Sequence, residues 1–169
     1  GASNVTGFIT DIHKIAELAH KHGARILVDA AQLLAHKEID VLPNDAPGHI
    51  DFLAAAGHKA YAPFGSAFLF GPRDVLDRVQ PYVPGGGTVM FVSEHDYIYA
   101  SSPDRHQGGT PNIAGAIALA ESLNFLSAAG LENIRTHEVE LTSYALQRLK
   151  EIPDIRLLGD IPAENRLGV

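Results

Sequence analysis

The chain has 169 residues, 46% hydrophobic and 20% charged, enough to bury the core of one domain and too apolar for a disordered chain. Thirteen Lys and Arg against twenty Asp and Glu leave a net charge of −7, which disfavours a general nucleic-acid or anionic-membrane surface. The absence of cysteine excludes disulfides, thiolate metal sites and a cysteine nucleophile within these residues, and no apolar run is long enough to span a bilayer. The default address is cytoplasmic.

The opening GASNVTGFITD reads as a loop that follows a strand, and the chain closes on Leu-Gly-Val just after a strand-like run at 155–158. Both ends therefore read as those of a piece of a longer polypeptide. Residues 11–22 predict an amphipathic helix, with Ile12, Ile15, Leu18 and Ala19 as its apolar stripe. Asp11 or Thr10 caps its start, and Gly23 sits where a helix end favours positive φ. The run Arg25–Asp29 suits a central parallel strand buried on both faces. Residues 30–49 are long enough for a crossover to a second strand at 50–55, followed by the turn Ala56-Gly57-His58-Lys59. Residues 66–70 make a third strand. Too few residues separate it from Lys59 for a parallel crossover, so that pair should be antiparallel. A short helix is expected at 73–79. Prolines and glycines crowd residues 80–112 into an irregular stretch of the kind that is functional or disordered. Two helices follow, at about 113–129 and 131–151, separated at Gly130 and stopped before Pro153. The alternation indicates a layered α/β domain.

The chemistry concentrates in LVDAAQ and AGHKAYAPFG. Asp29 ends a strand, and ligands of open α/β sheets bind beyond the carboxyl ends of parallel strands. A carboxylate there can hold the proton of a pyridinium nitrogen. Lys59, in the turn after the next strand, can face the same crevice and supply a Schiff-base amine. That pairing is the pattern of pyridoxal phosphate (PLP) enzymes. His58 can donate to a phosphate, and Gln32 can reach a ring oxygen. Each alone has a plainer explanation: a strand-end Asp is often a turn residue, and a Gly-His-Lys turn is usually just solvated. The specificity lies in their order.

With these residues the sequence resembles the class V aminotransferase family, the cysteine desulfurase-like branch of fold type I PLP enzymes. The resemblance rests on Ser3-Asn4-Val5-Thr6-Gly7, Asp29-Ala30-Ala31-Gln32, Gly57-His58-Lys59 with Pro63-Phe64-Gly65, Gly85-Gly86-Gly87-Thr88 and Gly109-Thr110-Pro111-Asn112. It implies a three-layer α/β/α sandwich with a mostly parallel sheet, with residues 1–151 in the large PLP-binding domain and 152–169 opening a truncated C-terminal small domain. It implies that Lys59 is the catalytic lysine, that Asp29 binds the pyridine nitrogen, that Gln32 and Asn4 contact the ring hydroxyl, and that His58 contacts the phosphate. Thr88 matches a loop residue that reaches the phosphate of the neighbouring subunit in a homodimer. The substrate implied is an amino acid, and the reaction is transamination, racemisation, or elimination of sulfur or selenium. Relatives commonly carry Ser or Thr where this chain has Ala56. The family's ring-stacking side chain, second phosphate turn, carboxylate-binding arginine and desulfurase cysteine lie outside these residues, so residues 1–169 alone are expected to be inactive.

Two other classes compete. One is a non-catalytic α/β module or scaffold with relic PLP residues, favoured by Ala56. The other is a phosphate- or nucleotide-binding domain built on the glycine run, which lacks both the P-loop and the dinucleotide fingerprints. The nine histidines show no His-x-x-x-His pair, so no metal site is expected.

Overall fold

A computed structural model describes residues 1–159 and 161–169. The elements are α1 (Ile12–Lys21), β1 (Leu27–Asp29), β2 (Phe52–Ala56), β3 (Ala67–Phe70), α2 (Arg73–Leu76), β4 (Val89–Val92), β5 (Tyr97–Tyr99), α3 (Ile113–Ala129) and α4 (Leu131–Lys150). One turn of 3₁₀ helix, Gly57–Lys59, joins β2 to the loop before β3. The α/β class stands. The main sheet is mixed, in the order β1-β2-β3, with β1 and β2 parallel and β2 and β3 antiparallel.

Helix α1 starts where the Asp11 carboxylate accepts the Lys14 N–H and ends before Gly23, at φ +67°. It lays Ile12 and Ala16 on Val28, Leu53 and Ala55, which share one face of the sheet; Ala30, Leu33 and Ile50 complete that core. The opposite face carries Leu27, Asp29 and Leu69, all exposed. Among the described residues β1 lies at one end of the three-stranded sheet, with its Val28 face packed on α1 and Leu27 59% exposed on the other.

Asp51, just before β2, gathers the amino edge of the sheet. Its carboxylate accepts the Ile26 N–H and bonds His20 Nε2, both at 2.9 Å, and Arg25 stands 3.8 Å away. Burial pushes the Asp51 carboxyl up, but the hydrogen bonds from His20 and Ile26 outweigh it and hold the group below the usual carboxylate range. The bond to Asp51, then that to Pro47, raises His20.

Residues 80–112 are not wholly irregular. β4 and β5 form an antiparallel hairpin with a bulge between Val89 and Phe91. The flanking glycines and prolines mask this pair in the sequence. The strand expected at 155–158 is absent, and the helix expected at 73–79 is one short turn. Helices α3 and α4 meet at 72° across Gly130, and among the described residues no single helix is long and apolar enough to cross a membrane.

The closing segment returns to the opening one. Ile9 N–H donates to Asn165 O, Leu167 N–H donates to Gly7 O, and Arg135 of α4 holds the carbonyls of Ala163 and Glu164. Leu167 is fully buried. Gly7 has φ +73°, and a Cβ there would lie 2.4 Å from Leu167 O. Gly7→Ala should therefore loosen this junction and lower stability by about 2 kcal/mol or more, read as a fall in the denaturant midpoint.

Candidate active site at the carboxyl edge of the sheet

The parallel register Leu27↔Phe52, Val28↔Leu53, Asp29↔Ala54 sends β1 and β2 out of the sheet at the same edge. Asp29 is the last residue of β1, and Lys59 closes the turn that follows β2. The structure thus brings the acid and the amine to one edge, as the order of the motifs implies.

Asp29 does two things there. Oδ1 accepts the Ala31 N–H at 2.9 Å, the turn role of a strand-end Asp. The carboxylate is otherwise exposed, so Oδ2 is open to a ligand. Ala30 continues the ladder through its N–H to Ala54 O at 2.8 Å and is fully buried, which fixes the backbone behind the carboxylate. Gln32 is half-buried in the turn that follows. The Gly1 nitrogen lies 2.6 Å from Asp29 O, which places the opening segment beside the end of β1. Asn4 stands exposed in the turn between the paired residues Ala2 and Ile9.

The lysine turn is anchored on both sides of Lys59. The Gly57 N–H donates to Ser66 O at 2.8 Å, and Gly57 O accepts from Ala60 and Ala62. Ala60 is fully buried beside Ala35 and Leu126, and its carbonyl accepts the Ser122 hydroxyl of α3. Between these anchors Lys59 is exposed, with no hydrogen bond or ion pair among the described residues. His58 is exposed and stacks on Phe64 at 5.1 Å and 21°. The Phe64 loop is held in turn by Asn112, whose Nδ2 donates to Gly65 O while its Oδ1 caps α3 at the Gly115 N–H. In sequence Asn112 belongs to the Gly109-Thr110-Pro111-Asn112 motif, and its place just before a helical run is the signal for a cap.

Gly57 is glycine for steric reasons. A Cβ at this position would lie 2.3 Å from Ser66 Oγ, and Ser66 is buried. Gly57→Ala should cost about 1–3 kcal/mol and displace the turn that carries His58 and Lys59. The check is a denaturant midpoint measured beside cofactor uptake; unchanged values for both would contradict this account.

Thr88 closes the glycine loop within this chain. Its side chain is fully buried, and its hydroxyl donates to Gly85 O at 2.7 Å and accepts the Gly85 N–H at 3.2 Å. The hydroxyl closes its own loop, while Gly85, Gly86 and Gly87 stay exposed. A cleft of about 450 Å³ opens elsewhere, among Ile9, Asp11, Leu33, Lys37, Arg135 and Asn165.

The Aminotransferase class-V family model matches residues 1–169. A probable cysteine desulfurase of Synechocystis sp. is 41% identical over 95% of this chain, which spans 37% of that relative's length. The apo structure of a cysteine desulfurase from Thermococcus onnurineus superposes with a TM-score of 0.89 at 33% identity, covering 99% of this chain and 41% of that one. A C-DES mutant with glycine covalently linked to its PLP cofactor superposes with a TM-score of 0.76 at 19% identity over 94% of this chain and 42% of its own; at that identity it shows the fold alone.

Proposed function

The chain belongs to the class V aminotransferase family, and from that premise we propose that it forms the cofactor-binding core of a pyridoxal phosphate enzyme acting on an amino acid, of the cysteine desulfurase or lyase kind. One observation carries the reading: Asp29 and Lys59 leave neighbouring parallel strands at the same edge. The cysteine desulfurase names of the relatives favour that branch over transamination. Residues 1–151 belong to the large domain in this reading, and 152–169 open a small domain docked through Asn165 and Leu167.

The donor set fits the cofactor. An acid, a free amine, an imidazole and two amides match, in kind, a ring nitrogen, an aldehyde, a phosphate and a ring hydroxyl. When bound, pyridoxal phosphate supplies the electron sink for charge that develops at a substrate α-carbon. The protein does the rest. Asp29 would accept a hydrogen bond from the protonated ring nitrogen and hold that proton on the ring, its carboxylate oriented by the Ala31 N–H. Lys59 is the base that moves the α-proton, and its exposure leaves the amine room to swing. Gln32 and Asn4 orient the ring hydroxyl. His58, braced on Phe64, donates to the phosphate. Ala56 contributes no donor, which leaves the phosphate one hydroxyl short. The scaffold alternative rests on that residue alone, and the unengaged Lys59 opposes it.

The purified protein should keep a near-visible absorption band after PLP is added and the unbound excess removed, and the intact enzyme should then release sulfide from cysteine when a thiol reductant is present. A protein that gains no band with PLP has lost the proposed function.

The same reading makes the enzyme a two-fold homodimer in which the glycine loop crosses to its neighbour. There Thr88 exchanges its Gly85 contacts for a phosphate oxygen, and the bare backbone of Gly85–Gly87 allows the approach. Mixing inactive Lys59→Ala subunits with subunits carrying Gly87→Ala and Thr88→Ala should restore activity, since one hybrid site is then wild type at both positions. A mixed dimer without activity would overturn the crossing.

A further inference from the structure

The amino edge of the sheet, opposite Lys59, brings together side chains that the proposed chemistry does not use. His20 comes from the last turn of α1, and His49 and Asp51 flank the entry to β2. One potential ligand atom from each lies within 4.8 Å of the others. We propose that His20, His49 and Asp51 bind a divalent transition-metal ion of the zinc type, with water completing the shell.

The orientation of both imidazoles carries the argument. His20 Nδ1 lies 2.7 Å from Pro47 O, and His49 Nδ1 lies 2.7 Å from Ala46 O. A carbonyl oxygen only accepts, so both Nδ1 atoms carry hydrogen. That arrangement is the one by which a backbone carbonyl orients a metal-ligating histidine, leaving Nε2 for the ion. His20 Nε2 meets Asp51 Oδ2 at 2.9 Å, which a structural ion pair explains by itself. His49 Nε2 is not explained that way. It points toward Asp51 Oδ1 at 3.7 Å, too long for a hydrogen bond, and has no other partner among the described residues. The two rings stack at 4.1 Å and 20°, which sets the imidazoles side by side, and one ring tilts from the stack for both Nε2 atoms to converge on one ion.

Asp51 is prepared in the same way. It is 7% exposed, and Oδ2 accepts the Ile26 N–H, the kind of outer bond that holds a ligating carboxylate in place. Donors of a tetrahedral zinc site stand about 3.3 Å apart, so the 3.7 Å pair must close by only a few tenths of an ångström. Arg25, 3.8 Å from Asp51 Oδ1 and half exposed, has room to swing into water. The incoming ion displaces the proton shared by His20 Nε2 and Asp51 Oδ2, and that proton leaves to solvent. The bound ion would pin the end of α1 to the sheet.

The test uses the purified protein, stripped with a chelator. One equivalent of Cu²⁺ should give an electron paramagnetic resonance signal split by two imidazole nitrogens. Zn²⁺ titrated calorimetrically should bind at one site, and His49→Gln should weaken that site at least tenfold. The metal-free melting temperature of the variant should stay near wild type, since the only side-chain hydrogen bond of His49 among the described residues is to Ala46, three residues away. A copper signal split by one nitrogen or none, or zinc binding by His49→Gln within twofold of wild type, would overturn the site and leave a structural ion pair. If the variant does not fold, the copper signal of the wild-type protein decides alone.

Discussion

Lys59→Ala should abolish turnover and leave the fold standing. Lys59 is exposed and makes no hydrogen bond or ion pair among the described residues, while the turn around it is held by Gly57, Ala60 and Ser122. Removing such a side chain should change stability by no more than about 0.5 kcal/mol. The amine has no substitute in this edge, since the neighbouring His58 is braced on Phe64 and its ring cannot make the same covalent link to a carbonyl. Borohydride reduction of the enzyme with cofactor should fix the label on the peptide that contains Lys59. Label on Lys14, Lys21, Lys37 or Lys150 would overturn the assignment, as would a Lys59→Ala enzyme that turns over normally with a melting temperature near wild type.

Asp29→Asn should raise the barrier of the α-proton step by roughly 3 kcal/mol, a loss of two orders of magnitude or more in rate. The substitution keeps the shape and the Oδ1 contact to the Ala31 N–H, so the turn after β1 survives. It removes the negative charge that holds the ring-nitrogen proton. The measurement is single-turnover loss of the substrate α-hydrogen beside a denaturant midpoint. Near wild-type rates would place another partner at the ring nitrogen. A slow variant with an unchanged midpoint would separate the electrostatic role from the structural one.

The two residues differ in how much of their role can be read in one dimension. The place of Lys59 follows from a strand, a turn and a return strand too close for a crossover, and β2, Gly57–Lys59 and β3 are arranged that way. The place of Asp29 at a strand end was equally plain, but its surroundings were not. A continuous apolar run reads as a strand buried on both faces, and among the described residues only the face of Val28 packs on α1. For Thr88, a hydroxyl ending a glycine run reads as a donor to an outside anion, and its Gly85 partner within the chain is visible only in three dimensions.

The sequence by itself determined the helices, the antiparallel return of β3 and the identity of the candidate acid and amine. Caps, apolar periodicity and loop lengths are properties of near neighbours, so Asp11, Gly23 and Gly130 mark α1, α3 and α4 within a residue or two. Only the tertiary structure decided which face of β1 is covered, that β4 and β5 pair inside the glycine- and proline-rich stretch, that Asn112 ties the Phe64 loop to α3, and that His20, His49 and Asp51 meet. Burial and side-chain partnership depend on residues brought together from distant parts of the chain. His20 and His49 show no metal-ligand spacing along the sequence; packing α1 against the entry to β2 is what stacks their rings beside one carboxylate.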